Sequence, residues 1–284
     1  MKGGSWDERI DRARALISTY PFAAEGLRFY IHVASFQRSL YHDIQKALKD
    51  SLKASSDGVL RGELDLFVLL PKFSGFLSLI KEVAPRPLQE AATALAQQGP
   101  SQWRPLLESF WQYELGSPAA VGEAEWLGNE GGVVPPSESY LAWIFLQPYA
   151  EYLAGQYGPV HQDGTPSICP LCGAKPIVAV LRREGDGAKK SLICMLCAHE
   201  WSFRRIYCPA CGEQREPQLA FYSAPEIAHV RVDVCDSCHT YLKSIDLTKT
   251  GLAVPIVDEL ATVPLDLWAR EHGYEKLQIN LLGT

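Results

Sequence analysis

Four Cys-x-x-Cys pairs constrain this 284-residue chain more than any other feature: "CPLC" at 169–172, "CMLC" at 194–197, "CPAC" at 208–211 and "CDSC" at 235–238. They hold all eight cysteines. A Cys-x-x-Cys turn aims two sulfurs at one point, so two facing turns supply the corners of a tetrahedron. Glycine after Cys172 and after Cys211 permits a turn conformation that is costly for other residues. The pairs also repeat. First and third lie 39 positions apart, second and fourth 41. Each unit opens on Cys-Pro-x-Cys-Gly and ends on Cys-x-x-Cys followed by an aromatic residue, Trp201 or Tyr241. A shared fold explains a likeness that extends beyond the cysteines.

The intervening segments read as β-hairpins. "PIVAVLRR", "GDG" and "KKSLI" form one whose end carries the second pair; "QLAFYS" and "HVRVDV" form another, and "TYLKSID" continues as a strand. Before about residue 160 the grammar is helical and free of cysteine. "WDERIDRARALIS" sets Ile10, Ala13, Leu16 and Ile17 on one stripe. Pro21 sits near the start of a second helix that carries Leu27, Tyr30, Ile31, Ala34, Leu40 and Ile44 at helical spacing. Further helices are predicted at about 61–83, 87–97, 101–115 and 137–155, with "GNEGGVVPPSES" at 128–139 as the clearest break. The expected fold is α+β: a helical bundle over 1–160, a first four-cysteine metal unit over 165–206, a second over 207–248, and a helical C-terminal tail over 249–284 packing back on the body. The two metal units are expected to be tandem β-hairpin units of the rubredoxin or zinc-ribbon kind.

The predicted ligands are Cys169, Cys172, Cys194 and Cys197 for one ion, and Cys208, Cys211, Cys235 and Cys238 for another. Sequential pairing follows the repeat; a cross-braced arrangement, first pair with third and second with fourth, is the alternative. The intervals of 21 and 23 residues between facing pairs slightly exceed the usual ribbon range. A longer hairpin absorbs the excess. Four thiolates suit zinc, or a single iron of the rubredoxin kind. Ligand type alone also admits an iron–sulfur cluster, but a regular twofold repeat favours single ions. A thioredoxin-like dithiol is normally one pair opening a helix in a βαβ setting, which four hairpin pairs do not resemble. His199 and His239, beside Cys pairs, are expected to lie outside the ligand set. His32 and His42 fall on different faces of one helix.

Composition bounds the function. The formal charge is −6, and over 160–243 ten Lys/Arg face nine Asp/Glu. Metal-bound thiolates would make that lobe more negative, which disfavours phosphate backbones. A metal-ribbon nucleic-acid binder therefore stays the alternative reading, resting on Arg182, Arg183, Lys189, Lys190, Arg204 and Arg205. No Ser-His-Asp array, P-loop or dinucleotide fingerprint occurs, and an ion closed in by four cysteines leaves no position for substrate. The expectation is no enzyme. The N-terminal stretch lacks the apolar run of a signal peptide. "LDLFVLLPKFSGFLSLI" at 64–80 is too broken by Asp65, Pro71 and Lys72 to span a membrane. A cytoplasmic protein, where paired cysteines more often bind metal than form disulfides, is the expectation.

The order "CPLCGAKP", "CMLCAHEW", "CPACG", "CDSCHTYLK", with "LQPYAEYLA" at 146–154 before it and "LDLWAREHG" at 265–273 after it, resembles the formate dehydrogenase accessory (formation) protein family. The likeness is strongest over about 140–273, and "FYIHVASFQ" at 29–37 also fits. It implies a cytoplasmic maturation factor that binds the catalytic subunit of a respiratory formate dehydrogenase before export. It also implies two rubredoxin-like iron sites, where ligand chemistry alone ranks zinc first. Trp201 and Tyr241 are then candidate client contacts, with packing over the metal hairpins as the competing role.

Overall fold

Residues 4–49, 60, 64–114, 137–157, 164–185 and 187–284 are described in the computed structural model. The expected break at 128–139 lies outside them up to residue 136. Six α-helices come first among the described residues. α1 (Trp6–Thr19) starts at a capping box: the Glu8 N–H donates to Ser5 Oγ at 3.3 Å, and the Ser5 N–H donates to Glu8 Oε2 at 2.6 Å. A 3-10 turn at Pro21–Ala23 leads into α2 (Ala24–Leu48). Asp65 caps α3 (Leu66–Val83) by accepting the Val68 N–H. α4 (Arg86–Gln98) ends at Gly99 with φ +76°, and α5 (Pro100–Glu114) follows.

α6 (Ser137–Ala154) is the hub. From Tyr140 to Tyr152 every residue except Gln147 is buried, so it is apolar nearly all round and sits inside the molecule. Phe145 packs among Phe36, Phe73 and Phe76. Gln147 links two neighbours: its Oε1 accepts from Gln37 Nε2 of α2, and its own Nε2 donates to the Met195 carbonyl in the second Cys pair. Trp143 Nε1 donates to the same carbonyl at 3.3 Å. The helical body is thus fastened to the cysteine region by α6.

The β-region forms one seven-stranded sheet. Its strands are β1 (Pro176–Glu184), β2 (Gly187–Cys194), β3 (Glu200–Phe203), β4 (Phe221–Ser223), β5 (Val230–Cys235), β6 (Thr240–Asp246) and β7 (Glu275–Lys276). They run in the order β3-β2-β1-β6-β5-β4, with β7 also beside β6. Within each unit the pairing is antiparallel, as the hairpin pattern predicts. Between units β1 and β6 pair in parallel, Ala179 opposite Ser244 and Val180 opposite Ile245. The repeat alone would leave each unit with free edges; joining β1 to β6 satisfies both in the interior.

The tail forms two short helices, α7 (Pro255–Ala261) and α8 (Val263–Glu271). α7 lies against α1, β1 and β6. Val178, Val180, Ile245, Val257 and Leu260 are buried in the same continuous core as the helices.

Candidate metal centres

The Cys-x-x-Cys turns share a local device. In three of them the N–H of the residue after the second cysteine returns to the first cysteine's carbonyl: Gly173 to Cys169 at 2.8 Å, Gly212 to Cys208 at 3.0 Å and His239 to Cys235 at 2.8 Å. The residue after the second cysteine has positive φ in all four turns: Gly173 +77°, Ala198 +52°, Gly212 +78° and His239 +54°. Ala198 and His239 are the two non-glycine residues with positive φ among the described residues. Glycine is the signal that could be read in two turns. In the other two the same geometry is imposed on ordinary residues, at a cost of about 1–2 kcal/mol each. Such strain persists where the surroundings fix the chain, as the β2–β3 and β5–β6 pairings do here.

The turns bring the sulfurs together in sequential fashion. Cys169, Cys172, Cys194 and Cys197 form one group, Cys208, Cys211, Cys235 and Cys238 the other, and within each all Sγ atoms lie within 4.8 Å of one another. Cross-turn separations are 3.6 Å (Cys169–Cys197), 3.2 Å (Cys172–Cys194), 3.7 Å (Cys208–Cys238) and 3.7 Å (Cys211–Cys235). A disulfide needs about 2.05 Å. A tetrahedron with sulfur about 2.3 Å from a central ion has edges of about 3.8 Å. The spacing therefore fits one ion per group, and is too tight for a cluster whose own irons and sulfides would hold the thiolates farther apart. Backbone donors add to the fit: the Leu196 and Cys197 N–H groups point at Cys194 Sγ, and the Ala210 N–H at Cys208 Sγ.

Electrostatics asks for a cation. Burial works to raise the Cys169 thiol, yet its three neighbouring thiols hold it below the ordinary range. Burial and neighbouring thiols push Cys194 and Cys197 well above it. In the second group burial raises Cys208 and Cys235; Cys238 stays low because Thr240 and Cys211 outweigh its burial. Four adjacent thiolates cannot coexist without a compensating positive charge. A divalent ion supplies it.

The histidines stand outside both groups. His199 stacks on Trp201 with rings 6° from parallel, His239 leans on Tyr274, and His32 and His42 are exposed on α2. Trp201 and Tyr241 are buried, their polar atoms donating to the Pro166 carbonyl and to Asp266. Neither offers a surface to a client. Both pack.

Comparison with known proteins places this arrangement. Residues 168–205 match the model of the FdhE central domain, and residues 206–282 that of the FdhE C-terminal domain. The FdhE homolog of Aquifex aeolicus is 25% identical over 284 residues, spanning 96% of this chain and 94% of its own. That of Pseudomonas aeruginosa is 34% identical over 142 residues, 47% of this chain and 45% of its own. The crystal structure of the FdhE protein from Pseudomonas aeruginosa superposes with a TM-score of 0.66 at 22% identity, covering 99% of this chain and 97% of that one, and so shares the fold. The chain is similar to FdhE proteins, in sequence most clearly over residues 168–282.

The FdhE-like chain also carries buried charges that no motif announced. Lys243 of β6 and Lys276 of β7 meet Glu259 of α7 and Asp266 of α8 with all four side chains at most 2% exposed. Lys243 Nζ lies 2.6 Å from Asp266 Oδ2 and 3.0 Å from Glu259 Oε1; Asn280 Nδ2 donates to both Glu259 oxygens. Burial works against the Lys243 ammonium, but Asp266 and Glu259 outweigh it and hold its pKa above the usual lysine range. Arg12 makes a two-pronged contact to Asp258, which His229 Nε2 also meets at 2.8 Å, tying α1 to α7 and to the β4–β5 connection. Arg9 and Glu151 pair at 2.8 and 3.1 Å between α1 and α6. Beside them, a cavity of about 30 Å³ reaches Cys194 and Ala198, room for a water or two. These groups hold the two halves in one register.

Proposed function

We propose that this chain is a formate dehydrogenase accessory factor that binds the catalytic subunit of a respiratory formate dehydrogenase in the cytoplasm before export, supports its assembly or activity, and performs no turnover of its own. Its eight cysteines would hold two metal ions in sequential four-cysteine sites, iron by family resemblance, with zinc as the alternative. The observation that carries the reading is the match of both FdhE models across two cysteine groups whose sulfurs stand at single-ion spacing. No described helix is long and apolar enough to cross a membrane. In this reading the chain divides into a helical part over 1–160, metal units over 165–206 and 207–248, and a tail over 249–284. The switch from helix to sheet and the packing of α7 on α1 and β1 support that division.

The nucleic-acid alternative loses two of the six residues that suggested it, while Arg183, Lys189, Arg204 and Arg205 stay exposed. Lys190 is buried and bound to Asp233 at 2.7 Å, and Arg182 donates twice to Glu200. The test is deletion followed by complementation. Cells lacking the protein should make the formate dehydrogenase polypeptide with little activity, and a Cys169→Ser/Cys208→Ser variant should fail to restore it. Normal formate oxidation in the deletion strain, with no association between the purified proteins, would overturn the proposal.

A further inference from the structure

The sequence repeat makes the two cysteine groups look equivalent, and the fold makes them unequal. In the first group no cysteine is more than 3% exposed. Its turns are covered from the helical side. Trp143 and Gln147 of α6 both grip the Met195 carbonyl, and the Leu60 N–H donates to the Leu171 carbonyl at 2.7 Å. Reaching a sulfur there requires displacing part of the helical body, in which α6 is buried from Tyr140 to Tyr152 save Gln147. In the second group Cys208 and Cys235 are buried, but Cys211 is exposed and Cys238 only half-buried. The tie between its two turns is a surface contact, the Ser237 hydroxyl donating to Glu213 Oε2 at 2.6 Å. Glu213 is set by the same turn, since its carbonyl accepts the Cys208 N–H at 2.9 Å and its carboxylate is forked by Arg215.

We propose that the second site is an exchange site, which takes up and surrenders its metal ion to small soluble thiol or carboxylate ligands at Cys211, while the first site keeps its ion as part of the fold. This rests on the reading that both groups bind metal. The step is a ligand substitution with no change of oxidation state. A donor atom of the incoming ligand bonds the ion as the Cys211 sulfur–metal bond breaks, and the freed thiolate takes a proton from water. Cys238 is the next ligand to be replaced. Opening the second site demands only surface rearrangement, whereas opening the first requires part of the helical body to come apart.

The experiment uses the full chain loaded with two equivalents of zinc under a non-thiol reductant, then mixed with excess 4-(2-pyridylazo)resorcinol. One equivalent should leave at least about tenfold faster than the other, a separation expected when one opening is local and the other sub-global. Iodoacetamide labelling with peptide mapping should mark Cys211 first. Glu213→Gln, which touches no sulfur, should accelerate the fast phase several-fold and leave the slow phase unchanged. Release of both ions in one phase, or a fast phase whose labelled cysteines are 169, 172, 194 and 197, would overturn the exchange proposal while two bound ions leave the ligation reading intact. A chain that binds fewer than two zinc ions would overturn both.

Discussion

Replacing Lys243 with methionine tests whether the buried charges are a balanced set. The thioether keeps most of the lysine stem's volume, so packing changes little. Charge does not stay balanced: two anions, Glu259 and Asp266, are left with Lys276 as the cation between them. The Glu259 carbonyl, which accepts from Lys243 Nζ at 2.6 Å, also loses that donor and keeps the Thr262 hydroxyl at 3.1 Å. Removing one partner from a buried ion pair costs about 3–5 kcal/mol, because the other charge remains desolvated. At about 2 °C per kcal/mol for a chain of this size, the melting temperature should fall by about 6–10 °C. Urea unfolding of the metal-loaded chain, followed by circular dichroism, measures the loss. Lys243→Met/Asp266→Asn restores neutrality and keeps an acceptor for the Tyr241 hydroxyl, so it should be more stable than Lys243→Met alone by about 1–3 kcal/mol. A loss under about 1 kcal/mol in the single variant, or no recovery in the double, would show that the ammonium is not what holds α7 and α8 to β6.

X-ray absorption on the loaded protein should give two ions per chain, each with four sulfurs at about 2.3 Å. Removing metal, or substituting Cys169→Ser, should expose 165–206 to protease while circular dichroism retains most of the helix signal, since metal ligation contributes folding free energy. Gly173→Ala should destabilise by about 1 kcal/mol and Ala198→Gly should stabilise by up to about 1 kcal/mol, the same left-handed geometry read with opposite sign. For Asp233, Asp258 and Asp266, burial works against the carboxylate, but their cationic and hydrogen-bonding partners outweigh it and lower each pKa. Their contribution is therefore present above the unfolded aspartate value of about 4 and lost as pH falls through the lower folded values, which a pH series of melting temperatures should trace. On the alkaline side burial pushes the Tyr30 hydroxyl up to about 12. Its contribution is intact below the unfolded tyrosine value of about 10 and disappears as pH rises through the folded one, a loss that Tyr30→Phe should remove.

Local chemistry was legible in the chain itself. Cys-x-x-Cys spacing, the glycines at 173 and 212, and the 39–41-residue repeat were enough to give the sequential grouping of the sulfurs, because those constraints act over a few bonds. Helical periodicity placed α1, α2 and α4–α6 to within a few residues, with α3 starting later than expected, at the Asp65 cap.

Tertiary structure decided what the repeat could not. By repeat, β4 corresponds to β1 and β6 to β3, yet β1 and β6 are long while β4 and β3 are short. In each of these two correspondences the longer strand is the one that pairs across the units, so its length follows the partner and not the repeat. Ala198 and His239 adopt a glycine conformation because their strands are anchored on both sides, which no propensity reveals. Lys243 and Glu259 are 16 positions apart and read as ordinary surface charges until β6 and α7 bury them against each other. The two metal groups, near-copies in sequence, part company at α6: it holds a turn of the first, while in the second Cys211 is exposed and the surface contact of Ser237 with Glu213 links the turns. Burial belongs to the whole fold, since it depends on what the rest of the chain places overhead.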